Sequence, residues 1–577
     1  MGNVSRAVVL VLLIVCSAAV YLLGNGSVAL WDRDEPRYAQ TSRQMLQSGD
    51  WVVPHLLDKT RTAKPPLIYW CEAAAMRVFG DNNFAARFPS AIAIILLLIV
   101  LSIVLWKPLG SQLTLWTVFI FATSGLTIAA AKMCITDALL LLWVTIGQIC
   151  LYAMWRGNRS WPMVLVLAVA IGLAFLAKFP VILGIQATTL LALLLIEWLC
   201  RQYPSNHPDA GSEVPRRAGA LASEAVPAES LTDRSAGPHS VRITIAKWVT
   251  GLLIVAAIFL PWVLLVNYRS KDFIHKAVGH EVWDRMMTPL EQHVGPPGYY
   301  FLTIWLTYFP WSLMLPMAIG VAIRNRADPR MRFALAAILG PWILLECVRT
   351  KLPHYLLPVF PPLAFLTADA MVRCLKNQMS DLKSRPFIIA TGIWAGLVAV
   401  AASGTWLVIK APLPMPIHAM TALSILGPVF GLTVFIAFKT SRIAFGATAM
   451  GLGTFAFVSV MYLWYLPNAT FLRLAPRLAN VLIQNHVTEP KQALMLEYME
   501  PGLAFAQGGT IREAGDLGFS KHFEPQLTPW LVLPESVWDK APASLRDDYE
   551  IKAKEFGLNY ADHGKWMTVL VLHHKGS

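Results

Sequence analysis

Apolar residues arrive along this chain in long runs separated by short polar breaks, and the length of the runs is the first informative feature. A helix needs about 20 consecutive apolar residues to cross a bilayer. Stretches of that kind lie at 7–23, 91–106, 139–154, 163–176 and 245–266, and again at 392–409, 422–438 and 444–466. Together with the less clear segments the pattern predicts about 13 spans, an all-α polytopic membrane protein. The first run follows Arg6 and is long, so it reads as an uncleaved first helix rather than a signal peptide. Three stretches break the pattern. Residues 201–247, rich in Ala, Ser, Pro and Glu, read as a flexible cytoplasmic insert. Residues 31–89 and 268–298 read as two large outer loops, the first dense in charges and aromatics. From Pro467 onward the apolar runs shorten to alternating pieces (530–533 and 568–572) beside an amphipathic stretch (472–487). That change predicts a small soluble α/β domain over 467–577, after a membrane domain over 1–466.

Composition sharpens this picture. Of 577 residues 56% are hydrophobic and only 14% are charged, which excludes an ordinary soluble domain and a disordered chain. The net charge of +13 gathers in short loops. Arg324, Arg326, Arg330 and Arg332 form one, Arg373, Lys376, Lys383 and Arg385 another, with Lys439 and Arg442 and the pair Arg156 and Arg159 completing the set. The positive-inside rule assigns these loops to the cytoplasm, and an odd span count then puts the N-terminus inside and the C-terminal domain outside. The charge therefore sets orientation, and no nucleic-acid partner is expected. Seven cysteines without C-x-x-C spacing read as small core residues.

The chemistry-bearing residues fall on the outer face, where the orientation rule would leave cations scarce. The segment Asp34-Glu35-Pro36-Arg37-Tyr38-Ala39 suits a helix start, with acids capping and Pro36 in the first turn. It also suits a general base beside a cation that holds an anion. Lys64, before Pro65 and Pro66, is fixed at the mouth of an apolar helix and reads either as a snorkelling lysine or as a phosphate ligand. Asp137 and Lys178 sit at the outer ends of spans. Two carboxylates and several cations at one membrane surface suit a phosphorylated lipid and a hydroxyl acceptor. The histidines lack metal-ligand spacing, and no Walker loop, G-x-S-x-G or H-E-x-x-H occurs. Gly451, Gly453 and Ala456 mimic a dinucleotide fingerprint, but within a membrane span.

Taken together these segments resemble a known family. WDRDEPRYAQTSRQMLQSGDWVVPHLL from Trp31, KPPLIYW from Lys64 and FGDNNFAARFPS from Phe79 carry the likeness, with ITDALL, LAKFP, EQHVGPPGYY and TKLPHYLLPVFPPLA further on. They are similar to the bacterial aminoarabinose transferases, relatives of the protein O-mannosyltransferases in the GT-C class. The resemblance implies a 13-helix fold and an outward-facing site. It implies a sugar on polyprenyl phosphate as donor and a periplasmic acceptor such as lipid A, a glycan or a protein. Asp34 matches the proposed catalytic acid, with Glu35 and Asp137 as further catalytic candidates. Arg37, Lys64 and Lys178 match positions facing the lipid phosphate. Tyr38, Tyr69, His293, Tyr299, Tyr300, Lys351 and Tyr355 are the substrate-binding candidates. Those transferases carry Glu-Lys-Pro where this chain has Ala63-Lys64-Pro65, and that glutamate is implicated in metal and acceptor handling. No cofactor is expected here, with a divalent metal left open and no metal ligand assigned. The expected activity is inverting glycosyl transfer at the bacterial inner membrane, the alternative being a lipid flippase or transporter without glycosyl chemistry.

Overall fold

A computed structural model describes residues 2–576 except Asp32, 204–237, 280–294, 409–413, Lys491, 515–527 and His563. Most of the insert expected at 201–247 and residues 280–294 of the second outer loop, His293 included, lie outside the described residues.

Ten of the described helices are long and apolar enough to cross a membrane, and twelve spans result if each of two bent pairs counts as one. These pairs are Ser111–Thr123 with Gly125–Lys132 and Tyr299–Thr307 with Trp311–Arg324. The sequence leads to about 13. The helix Pro329–Cys347 has 19 residues, about 28 Å of rise, but it carries Arg330, Arg332 and Glu346 and is not among the apolar spans. The all-helical membrane architecture and the small C-terminal sheet domain both match the sequence expectation.

The chain divides into two compact units. The first comprises 1–100, 122–139 and 380–577; the second comprises 101–121 and 140–379. In the first unit α1 (Asn3–Leu22) leads to α2 (Asp34–Ser48), the hairpin β1 (His55–Leu56) and β2 (Lys59–Thr60), then α3 (Leu67–Phe79). α2 and α3 are 15 and 13 residues long and are not among the spans. α2 stops at Gly49, whose φ of 70° allows the left-handed turn that returns its N–H to the Met45 carbonyl. α4 (Asn83–Leu109) starts where Asn82 Oδ1 accepts from the Ala85 N–H at 2.9 Å. After α5 (Ser111–Thr123) and α6 (Gly125–Lys132), the segment 133–136 brings the chain to α7 (Asp137–Trp155).

The C-terminal region belongs to this same unit. Its sheet has the order β4-β3-β5-β7-β6, from β3 (Ala493–Met495), β4 (Arg512–Glu513), β5 (Trp530–Pro534), β6 (Tyr549–Asn559) and β7 (Lys565–His574). β3 runs parallel to β4 and β5, and the remaining pairs are antiparallel. The alternation read from the sequence sorts onto two faces. Val532, Val569 and Val571 pack against Leu474, Leu478 and Leu482 of the helix Leu474–Gln484. Leu531, Leu533, Leu570 and Leu572 meet Trp538 and Tyr549 on the other face.

In the second unit α7 continues into α8 (Trp161–Lys178) and α9 (Val181–Gln202), and α9 packs along Pro329–Cys347. Gly340 permits that approach, since a Cβ there would lie 2.3 Å from the Thr188 carbonyl oxygen.

Candidate functional site

The first turn of α2 holds two adjacent carboxylates in opposite environments. Asp34 is 56% exposed and lies 4.0 Å from the Arg37 guanidinium, one turn on. Neither acid caps the helix by a side-chain bond, because α2 begins at Asp34 and Arg33 is the flanking residue. Glu35 is fully buried. Arg87, also fully buried, grips it with Nε to Oε1 at 2.9 Å and Nη2 to Oε2 at 2.7 Å. The Trp31 N–H donates to Oε2 and the Cys134 N–H to Oε1. Arg87 spends its other N–H groups on the carbonyls of Asn25, Val28 and Ala29. Glu35, read from the sequence as a catalytic candidate beside Asp34, thus has both oxygens engaged in tying α2 to the α1–α2 loop and to the segment before Asp137.

A second buried carboxyl, Glu72 on α3, went unnoticed in the sequence. It accepts from Ser42 Oγ of α2 at 2.6 Å and from Cys134 Sγ at 2.9 Å. Burial pushes it up to about 8, against the lowering pull of these two hydrogen bonds and with a further upward push from Glu35. At neutral pH Glu72 is mostly protonated, joining α2, α3 and the segment 133–136. Its neutral form is favoured by folding, so its contribution is complete below the ordinary glutamate range and is lost as pH rises through about 8. A pH series of unfolding midpoints should therefore fall between about pH 5 and 8, by up to about 1.4 kcal/mol per pH unit. Glu72→Gln should flatten that slope, and an unchanged slope would contradict the assignment.

Tyr38, one turn beyond Asp34, meets Tyr69 of α3 with ring centroids 5.9 Å apart. Arg61, in the loop after β2, donates from Nε to Tyr69 Oη at 2.9 Å and lies 5.3 Å from the Tyr38 ring centre. Burial, then Tyr69 and Asp34, hold the Tyr38 phenol well above its ordinary range, with Arg61 opposing and Asp137 adding to the rise. Burial alone would lower Arg61, but Tyr69, Tyr38 and Asp34 outweigh it and raise it. Asp34, Tyr38, Arg61, Tyr69 and Asp137 therefore share one electrostatic neighbourhood. Asp137 opens α7 and is nearly buried. Lys64 lies just ahead of α3, its Nζ donating to the Ala63 carbonyl.

The C-terminal domain braces this arrangement from the same unit. Glu500, buried, accepts from Arg33 at 3.3 Å and from Asn559 at 3.0 Å. Arg43 binds both oxygens of Asp81, the Phe505 carbonyl and the Phe505 ring face. Lys59 and Asp58 of the hairpin pair with Glu513 and Arg512 at β4. A cavity of about 280 Å³ remains at this junction, with Asp81, Asn83, Arg473 and Tyr560 among its lining residues.

The remaining candidates lie in the second unit. Lys178 ends α8 with its Nζ 4.2 Å from the Tyr355 ring centre. Lys351 is nearly buried and bonds Glu346 through its side chain at 2.5 Å and its carbonyl at 2.7 Å. The other oxygen of Glu346 accepts from the Tyr300 N–H, holding the start of the helix Tyr299–Thr307. Tyr299 and Tyr300 meet edge to face at 5.1 Å. Lys351, a substrate-binding candidate in the sequence, is thus engaged with Glu346, which sequence reasoning missed. Among the described residues no group of three His, Cys, Asp or Glu could hold a metal ion.

Comparison with known proteins bears on this geometry. Residues 6–275 match the family model for dolichyl-phosphate-mannose-protein mannosyltransferase. The undecaprenyl phosphate-alpha-4-amino-4-deoxy-L-arabinose arabinosyl transferase of Photorhabdus laumondii is 29% identical over 388 residues, 66% of this chain and 62% of that protein. Its counterpart in Yersinia enterocolitica is 30% identical over 374 residues, 63% of this chain and 60% of that protein. The matched stretch thus spans under two thirds of those relatives' length. The structure of ArnT from Cupriavidus metallidurans bound to undecaprenyl phosphate superposes with a TM-score of 0.72 at 18% identity, covering 97% of both chains. The chain has the GT-C fold of an aminoarabinose transferase. It is a multi-pass protein of the bacterial inner membrane, and the resemblance read from the sequence holds in relatives and in fold.

Proposed function

We propose that the protein is an inverting glycosyltransferase that moves a sugar from polyprenyl phosphate to an acceptor at the outer membrane face. The observation that carries this reading is the neighbourhood of Asp34 and Tyr38 on α2, Arg61 in the loop after β2, Tyr69 on α3 and Asp137 at the first residue of the span α7. The names of the relatives, undecaprenyl-phosphate arabinosyl transferases, and the undecaprenyl phosphate bound to the structural neighbour favour the same chemistry.

An acceptor hydroxyl or phosphate oxygen attacks the anomeric carbon, and its proton passes to Asp34. The bond from that carbon to the phosphate oxygen breaks, and polyprenyl phosphate leaves with the electron pair. Arg37 and Lys64 steady the charge that collects on the phosphate. The exposed Asp34 is the base, Asp137 is the second carboxylate, and Glu35 acts by positioning the turn that carries Asp34. Tyr38 and Tyr69 face the bound sugar in this reading. The orientation adopted is an N-terminus in the cytoplasm, with the active site and the region 467–577 in the periplasm, beyond a transferase domain over 1–466.

The test is a purified protein in proteoliposomes with a labelled polyprenyl-phosphate sugar and lipid A, a glycan or a peptide hydroxyl as acceptor. Label should move to one acceptor class with inverted anomeric configuration. A donor bond still intact after exhaustive incubation with all three would sink the reading, and retained configuration would sink single displacement.

A further inference from the structure

We infer that Arg61 lines the donor-sugar subsite and selects a sugar that presents oxygen acceptors there, hydroxyl or carboxylate, over one that presents an ammonium group. The inference rests on the transferase reading above and deepens it by naming the substrate class.

Arg61 is held on three sides. Its backbone N–H donates to the Pro54 carbonyl at 2.8 Å across the hairpin. The hairpin is pinned to α2 by Gln44, which donates to the Leu57 carbonyl and accepts from the Leu57 N–H. Nε is occupied by Tyr69 Oη at 2.9 Å, and the guanidinium lies beside the Tyr38 ring. Among the described residues none accepts a hydrogen bond from either Nη. The side chain thus keeps its remaining donors for a ligand, in an orientation set before anything binds.

What that ligand presents follows from charge and shape. Arg61 lies 5.3 Å from the ring centre of Tyr38, one helical turn beyond Asp34 on α2, so the anomeric carbon that Asp34 serves and the Arg61 guanidinium belong to one site. A planar guanidinium matches two oxygen acceptors, the pair of a carboxylate or two hydroxyls on one ring. An ammonium in the same place meets a fixed cation that cannot lose its proton. The relatives named above carry 4-amino-4-deoxy-L-arabinose in their names, a sugar whose amine is cationic at neutral pH. This chain would therefore differ from them in donor.

The test is native mass spectrometry of the full-length protein in detergent, with undecaprenyl-phosphate donors carrying a neutral pentose, a uronic acid or a 4-amino pentose. The wild type should bind one of the two oxygen-bearing donors at least about tenfold more tightly than the amino donor, and the two arms separate hydroxyl from carboxylate recognition. Arg61→Gln should shrink that ratio to near one, and Arg61→Glu should reverse it. Lys59→Gln, on the same hairpin and paired with Glu513 at the surface, should keep the wild-type ratio. Equal binding of all donors by the wild type, binding of none, or a ratio unmoved by Arg61→Glu would overturn the inference. Selective binding without any turnover would instead overturn the transferase reading and leave the selectivity standing.

Discussion

Replacing Asp34 by Asn is expected to lower kcat for sugar transfer by about 10²–10⁴-fold, the range typical of losing a general base, while leaving the fold intact. The carboxylate is more than half exposed and lies 4.0 Å from Arg37, an exposed ion pair that contributes little to stability. The helix does not use it as a cap. Single-turnover assays in proteoliposomes would read the loss, and a thermal melt in the same detergent should keep the wild-type midpoint. Full activity in the variant would remove Asp34 from the chemistry. A large drop in the melting midpoint would make its role structural.

Its neighbour should behave in the opposite way. Glu35→Ala leaves the guanidinium of Arg87 buried without its carboxylate, and removing one partner of a buried ion pair costs about 3–5 kcal/mol. Both side chains are wholly inaccessible, so solvent cannot replace the lost partner. The variant should unfold at markedly lower denaturant or temperature. The Glu35→Ala/Arg87→Ala double variant should be destabilised by less than the sum of the single changes, because the second removal takes away the orphaned charge. Additive effects would show that the two residues do not act as a pair. The contrast is one of environment: a single turn of helix carries one carboxylate open to solvent and one sealed against an arginine.

The membrane architecture was readable because crossing a bilayer demands long apolar runs, and such runs can be counted without a fold. Asp137 and Lys178 were placed at span ends on that basis, and they do open α7 and close α8. The strands near 530–533 and 568–572 were legible because alternate residues face two different cores. The span count was harder. A helix such as Pro329–Cys347 mixes charge with apolar length, and two helix pairs are bent.

The site was only half legible. Asp34, Tyr38 and Tyr69 stood out by residue type and by resemblance, and they share a neighbourhood in the structure. Arg61 carried no motif. Its place between two tyrosines depends on a hairpin closing over α2 and α3, a contact that spacing along the chain does not encode. Glu72 sat within an apolar helix with nothing to mark it as a buried hydrogen-bonded acid. Lys351 is a basic residue in a loop by sequence, and only the fold sets Glu346 against it.

By itself the sequence determined that the chain lives in a membrane and that its last hundred or so residues form a different kind of domain. Those properties follow from local composition and periodicity, which the solvent reads residue by residue. Only the tertiary structure decided which acid is buried and which is open, because burial depends on what packs against a side chain from elsewhere in the chain. Arg87, 52 positions away, takes Glu35 out of water, whereas Asp34, one residue earlier, stays more than half exposed.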